Sequence, residues 1–159
     1  MTAEPQLAVV AEQTGESPPL VGIVMGSASD MDTMQGAAKE LGERGIAHEI
    51  SVISAHRQPN LVAEYGQQAR GRGLRVLIAG AGLSAALPGV LAAHTDLPVI
   101  GVPLSSRLSA AGGLDAILSV IQMPPGVPVA AVGLDNARNA GVLAARIIDS
   151  GGSWPLSVA

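Results

Sequence analysis

Ser54-Ala55-His56-Arg57 sets an imidazole beside a guanidinium. An imidazole changes charge near neutral pH and moves protons, whereas a guanidinium is a permanent fork that matches phosphate or carboxylate. The quartet follows an alternating apolar run, Ile50-Ser51-Val52-Ile53, and precedes Gln58-Pro59 and a helical pattern. It reads as a loop at the carboxyl end of a strand. The chemistry it suggests is proton transfer on an anionic small molecule.

Two more segments have the composition of ligand loops. Gly26-Ser27-Ala28-Ser29-Asp30 opens a helix, where small residues admit an anion and free N–H groups with the helix dipole favour phosphate. Ser27 and Ser29 add hydroxyls, and Asp30 is suited to accept from ribose hydroxyls. A capped helix start accounts for the same residue types, and for this loop alone it is the commoner meaning. Gly80-Ala81-Gly82-Leu83-Ser84 is a glycine-rich turn, read either as tight strand–helix packing or as close backbone approach to a substrate ring. Ser105–Gly113 is the longest break between periodic segments, a mobile cover or a surface connector. His48 at a strand start and His94 at a helix end are read as structural. No second His, Cys or acidic residue stands at metal-ligand spacing from His56, so no metal site is expected.

The elements that must position these loops alternate. Strands are predicted over 20–25, 48–53, 75–79, 98–102 and 127–132, and helices over 31–44, 60–72, 85–94, 114–122 and 136–149. Five strands alternating with helices give an α/β fold, a parallel sheet with right-handed crossovers and helices on both faces. Ligands bind such sheets beyond the carboxyl ends of the strands, at a switch in strand order. The three loops follow the first, second and third strands and so converge on one edge. Residues 1–18, rich in Pro, Glu and Gln without periodicity, are read as a flexible arm, 19–149 as one domain, and 150–159 as a tail that docks on a neighbour or stays free.

Composition narrows the function. Only 14% of the 159 residues are charged, against about 25% in an average domain, while 48% are hydrophobic. Too few charges to cover a lone globule point to a tight homo-oligomer. A net charge of −4 and almost no aromatic residues argue against nucleic acid as a partner. With no cysteine there is neither a disulfide framework nor a thiolate nucleophile. The start of the chain has no basic, apolar leader, so a cytoplasmic location is expected. The uncharged window Val76–Ala93 is long enough to raise the question of a membrane span, but its glycines and proline split it into a strand and a helix. No membrane association is expected.

Taken together the motifs resemble a known family. Val-Met-Gly-Ser-x-Ser-Asp (24–30), Ser-Ala-His-Arg-x-Pro (54–59), Ala-Gly-Ala-Gly (79–82), Leu-Pro-Gly (87–89), Leu-Pro-Val-x-Gly-Val-Pro (97–103) and Ser-x-x-Gln-Met-Pro-x-Gly-x-Pro (119–128) are similar to the N5-carboxyaminoimidazole ribonucleotide mutases. Asn139-Ala140 and Leu143-Ala144-Ala145 continue the match, which spans about 20–149. The resemblance implies a flavodoxin-like three-layer sandwich, assembled as an octamer with sites at subunit boundaries. It implies a step of purine synthesis in which a carboxylate moves from the exocyclic nitrogen of a ribonucleotide to ring carbon C4, without cofactor or metal. By motif position, Ser27 and Asp30 would bind the ribose-phosphate part, Arg57 the phosphate, and His56 would be the general acid–base. Gly26, Ser29, Ser54 and Ala55 would complete the two loops, and Gly80, Ala81, Gly82, Leu83 and Ser84, with the turn running on to Ala86, would enclose the pocket.

One position departs from the pattern. The family's usual loop reads Gly-Ala-Gly-Gly-Ala-Ala-His-Leu-Pro-Gly, and here Ala86 stands in place of the histidine. A related subgroup, carboxylases that use free CO2, has a loop closer to Ala81–Leu87. That subgroup carries Ser-Ala-His-Lys where this chain has Arg57, and the Arg/Lys difference favours the mutase. A catalytically silent nucleotide-binding relative is the other alternative. A phosphoacceptor receiver would need an acidic cluster and a flavin carrier aromatic loops; neither fits.

Overall fold

The computed structural model of the chain describes residues 17–151. The arm expected over 1–18 and the tail expected over 150–159 lie outside them, apart from the residues at the two margins.

Continuous aliphatic runs form the inner strands. Strand β1 (Val21–Met25) is buried at every position, and β3 (Val76–Gly82) and β4 (Val99–Leu104) lie beside it in turn. The edges are β2 (His48–Val52) and β5 (Ala130–Ala131). All neighbours pair in parallel, in the order β2-β1-β3-β4-β5. This is the flavodoxin-like order, whose switch point lies between β1 and β3.

Alternation along the strands serves two cores. On one face Val24, Leu77 and Ala79 pack with Val62, Leu91 and Val120, under helices α2 (Pro59–Ala69), α3 (Leu87–Ala93) and α4 (Leu114–Ile121). On the other, Ile23, Met25, Ile78 and Ile100 pack with Met34, Leu41 and Ala140, under α1 (Met31–Glu43) and α5 (Ala137–Ser150). The window Val76–Ala93 resolves into strand and helix, and no helix among the described residues is long and apolar enough to cross a membrane.

Two strands differ from expectation. β3 runs three residues past Ala79, because its glycines extend the ladder with β4 as far as Gly82 opposite Leu104. A Cβ at Gly80 would collide with the Met34 sulfur, and one at Gly82 would lie 2.9 Å from the Leu104 carbonyl oxygen. β5 shrinks from the six residues predicted over 127–132 to two, both exposed. Pro124, Pro125 and Pro128 crowd its approach, and proline cannot donate to a ladder.

Two ionic clusters fix the helices that carry the loops. Glu49 on β2 is buried; it accepts from the Tyr65 hydroxyl of α2 at 2.7 Å and from both terminal nitrogens of Arg72, Nη1 at 3.1 Å. The Arg72 guanidinium also lies 4.9 Å from the Tyr65 ring centre. Burial, reinforced by the Glu49 carboxylate, pushes the Tyr65 phenol above its usual range. β2 and α2 are thereby clamped on either side of residues 54–57. Across the sheet, Glu40 of α1 accepts from Arg138 Nε at 2.9 Å and from Arg44 at 2.8–2.9 Å. The Arg138 guanidinium, followed by that of Arg44, holds the Glu40 carboxyl below its usual range. A depressed value stabilises the fold above the unfolded pKa, and that contribution is lost as pH falls through the folded one.

Candidate active site

The carboxyl ends of β1, β2, β3 and β4 surround one cavity of about 310 Å³, within the size range of small-ligand pockets. It lies at the switch point, where the ladder ends on a hydrogen bond from Gly26 N to Gly80 O, 3.3 Å.

After β1, Gly26, Ser27, Ser29 and Asp30 line the cavity. Ser27 Oγ accepts from Ser29 N at 3.3 Å and shares a hydrogen bond with Ser29 Oγ at 2.9 Å, capping the 3-10 turn Ala28–Asp30. Asp30 sits at the start of α1 but makes no side-chain cap. The capping explanation of this loop therefore belongs to Ser27, and the Asp30 carboxylate is left for the cavity.

After β2, Ser54, Ala55, His56 and Arg57 form the next wall. Gln58 N donates to Ser54 O at 2.7 Å and closes the turn. Arg57 bends back over it, with Nε 3.3 Å from Ser54 Oγ and Nη2 3.4 Å from Gly26 O. Both contacts are long, so the fork is lightly held. His56 is exposed on the cavity wall, and its ring has no hydrogen-bond partner among the described residues.

After β3, Ala81, Gly82, Leu83 and Ser84 line the cavity, joined by Ala86 and Leu87. Leu83 adopts φ +56°, a left-handed conformation that is unfavourable for a branched side chain. Gly80 is not part of the wall: it lies within the sheet, against Met34. Its distance from the cavity follows from the extension of β3, which carries the turn past it.

The fourth wall comes from the break read as a mobile cover or a connector, not from the residues named for the site. Ser105, Ser106 and Leu108, just after β4, complete the cavity. The long break 105–113 was their one signal, and nothing local separated a cavity wall from a connector. His48 is buried with Nδ1 3.0 Å from Ile46 O, and His94 ends α3, its backbone N–H donating to Leu91 O; neither lines the cavity.

The family model for AIR carboxylase matches residues 20–153. The chain belongs to the AIR carboxylase family. It is 55% identical over 130 residues to the N5-carboxyaminoimidazole ribonucleotide mutase of Pyrococcus horikoshii, covering 82% of this chain and 72% of that one. To the Bacillus subtilis protein of the same name it is 53% identical over 134 residues, 83% and 82% of the two chains. Among solved structures, Treponema denticola PurE superposes with a TM-score of 0.72 at 35% identity, covering 83% of this chain and 81% of that one.

In this AIR carboxylase chain the cavity combines one imidazole with no hydrogen-bond partner among the described residues, one lightly held guanidinium, one carboxylate and a set of serine hydroxyls. Such a site is equipped to grip an anionic, hydroxyl-bearing ligand and move a proton on it. Burial raises the Asp30 pKa above its usual value, and a backbone hydrogen bond from Ser27 offsets part of the rise. With a raised pKa the folded state holds its proton more tightly than the unfolded one, so stability falls as pH climbs through that window. At neutral pH the ionised, half-buried carboxylate is therefore a small liability. Asp30→Asn is expected to raise the melting temperature at pH 7 and to lose that advantage near pH 3, while weakening nucleotide binding about tenfold, the scale of one charged hydrogen bond. Melting curves at both pH values, with a nucleotide titration, check both halves.

Proposed function

We propose that the chain converts N5-carboxyaminoimidazole ribonucleotide to 4-carboxy-5-aminoimidazole ribonucleotide, the mutase step of purine synthesis. One observation supports this above all. The loops that carry the family motifs, residues 26–30, 54–57 and 81–87, border a single cavity in a chain more than half identical to mutases over 130 residues.

Arg57 takes the phosphate, while Ser27, Ser29 and Asp30 hold the ribose-phosphate part. The imidazole ring then lies toward His56 and the backbone of Ala81–Ser84. The bond between the exocyclic nitrogen and its carboxyl carbon breaks to release CO2, and the nitrogen takes up a proton from His56. C4 attacks the carbon of CO2, and the C4 hydrogen leaves as a proton that returns to His56. Bonds and protons balance, so no cofactor is required. The protein's contribution is confinement of CO2 and placement of one proton.

The active form is a homo-oligomer, an octamer on the family pattern, in the cytoplasm, with sites completed at subunit boundaries. The low charge content supports this, as do Leu114 and Leu118 on α4 and Ile121 at its end, all exposed in the single chain.

The carboxylase alternative draws on Ala86, which lines the cavity where the mutase pattern has histidine. Offering the protein either the N-carboxylated nucleotide or the plain nucleotide with dissolved CO2, and following C4 carboxylation by ultraviolet absorbance, separates the readings. The mutase reading expects higher kcat/KM with the N-carboxylated substrate. Preference for CO2 would make the chain a carboxylase, and no rate above background with either would leave a binding protein.

A further inference from the structure

Asp135, in the turn between β5 and α5, directs its carboxylate to a loop thirty residues away in sequence. Oδ1 accepts from Ser105 N at 2.8 Å and Oδ2 from Ser105 Oγ at 2.5 Å, while Asp135 N donates to Pro103 O at 2.9 Å. The residue holds φ +56°, a conformation that glycine adopts freely and aspartate only tolerates. Among the described residues the carboxylate has no cation for a partner, and it is committed to the Ser105 clasp.

The loop so held is knit at every step. Ser106 N donates to Ser109 Oγ at 2.8 Å, Ser109 N to Ser106 O at 3.1 Å, and Leu108 N to Ser106 Oγ at 3.1 Å. A second carboxylate pins its far end, where Ala110 N donates to Asp115 Oδ2 at 3.0 Å. Leu108 stands at the tip, 80% exposed, and borders the cavity with Ser105 and Ser106. Between the two pins the backbone has little freedom to retreat from the cavity. Beyond them, Ala111, Gly112 and Gly113 all have positive φ, which marks where the ordered wall gives way to a sharp turn.

We propose that Asp135 is a positioning residue for the reaction: by fixing Ser105 it holds the Ser105–Leu108 wall against the cavity and sets how closely the substrate is enclosed. This rests on the nucleotide reading of the cavity given above. Asp135 touches no substrate; it acts through Ser105. A strained, non-glycine residue next to the candidate cavity, with its side chain engaged by the cavity wall, is the pattern expected of stored pre-organisation.

Asp135→Gly removes the clasp and relieves the backbone, so a purely structural role predicts unchanged or improved stability and unaltered kinetics. The positioning role predicts otherwise. KM for the N-carboxylated nucleotide rises about tenfold and kcat falls, at an unchanged or higher melting temperature. Trypsin, cutting after the exposed Arg107 at the loop tip, cleaves the native protein at least tenfold faster. Asp135→Asn tolerates the same φ and keeps one acceptor, so it recovers most of both losses. Should Asp135→Gly fold poorly, Ser105→Ala removes one of the two bonds and gives a smaller shift in the same direction. Faster cleavage with unchanged kinetics would reduce Asp135 to a loop staple and overturn the positioning role; unchanged cleavage and kinetics would overturn the clasp as well. A wild-type protein without turnover would sink the nucleotide reading, and with it the kinetic role, leaving the trypsin rate to decide the clasp alone.

Discussion

Asparagine at position 56 is expected to lower kcat by about 10²–10⁴-fold, the range that a positioned general acid–base contributes. The side chain is exposed and its ring has no hydrogen-bond partner among the described residues, so the substitution removes no contact that the fold depends on. Asparagine keeps a polar group of similar reach but cannot carry a proton between nitrogen and C4. Nucleotide affinity, measured by calorimetric titration, is expected to stay within a few-fold of wild type, and the melting temperature to be unaltered. A variant that retains most of its turnover in the absorbance assay would exclude His56 as the proton carrier.

Arg57→Ala is the complementary case, expected to raise Kd for the nucleotide about 100-fold while altering kcat much less. A charged hydrogen bond contributes about 1.5–3 kcal/mol, and each 1.4 kcal/mol is a factor of ten in affinity. The resting contacts of the fork, 3.3 Å to Ser54 Oγ and 3.4 Å to Gly26 O, are weak enough to give up when a phosphate arrives. The first lies within the second loop and the other reaches across to the first loop, so the guanidinium already waits at the seam where the phosphate is expected. Arg57→Lys retains the charge but not the paired donors, and is expected to fall between wild type and alanine. An apparent affinity unchanged by Arg57→Ala would remove the residue from the phosphate site. The two substitutions thus separate turnover from grip, one loop position apart.

Most of the fold was legible because burial on both faces leaves long aliphatic runs, and Val21–Met25 and Val76–Ala79 could only be inner strands. Helices announced themselves by spacing and by their stops. β5 was overestimated because Val127–Val132 has strand composition while Pro128 within it denies its first half the ladder. Three walls of the cavity were legible for a different reason: each follows a strand directly, so its place was implied by the sheet. The end of β3 was misjudged since glycine signals a turn more often than a strand, and only the proximity of Met34 and Leu104 explains why glycine is needed there. The fourth wall fell inside the break read as a mobile cover or a connector, and its hydrogen bonds to Asp135, thirty residues away, had no local pattern to announce them.

The meagre fifth strand has a bearing on how copies of this chain meet. Two rungs, Ile100 with Ala130 and Gly101 with Ala131, make up the whole of its ladder, and prolines stand close by on its entry side. A foreign strand aligned there would find a short, interrupted row of amides to grasp, which discourages runaway fibre growth. A lateral strand would gain little hold on this flank, however apolar the chain as a whole.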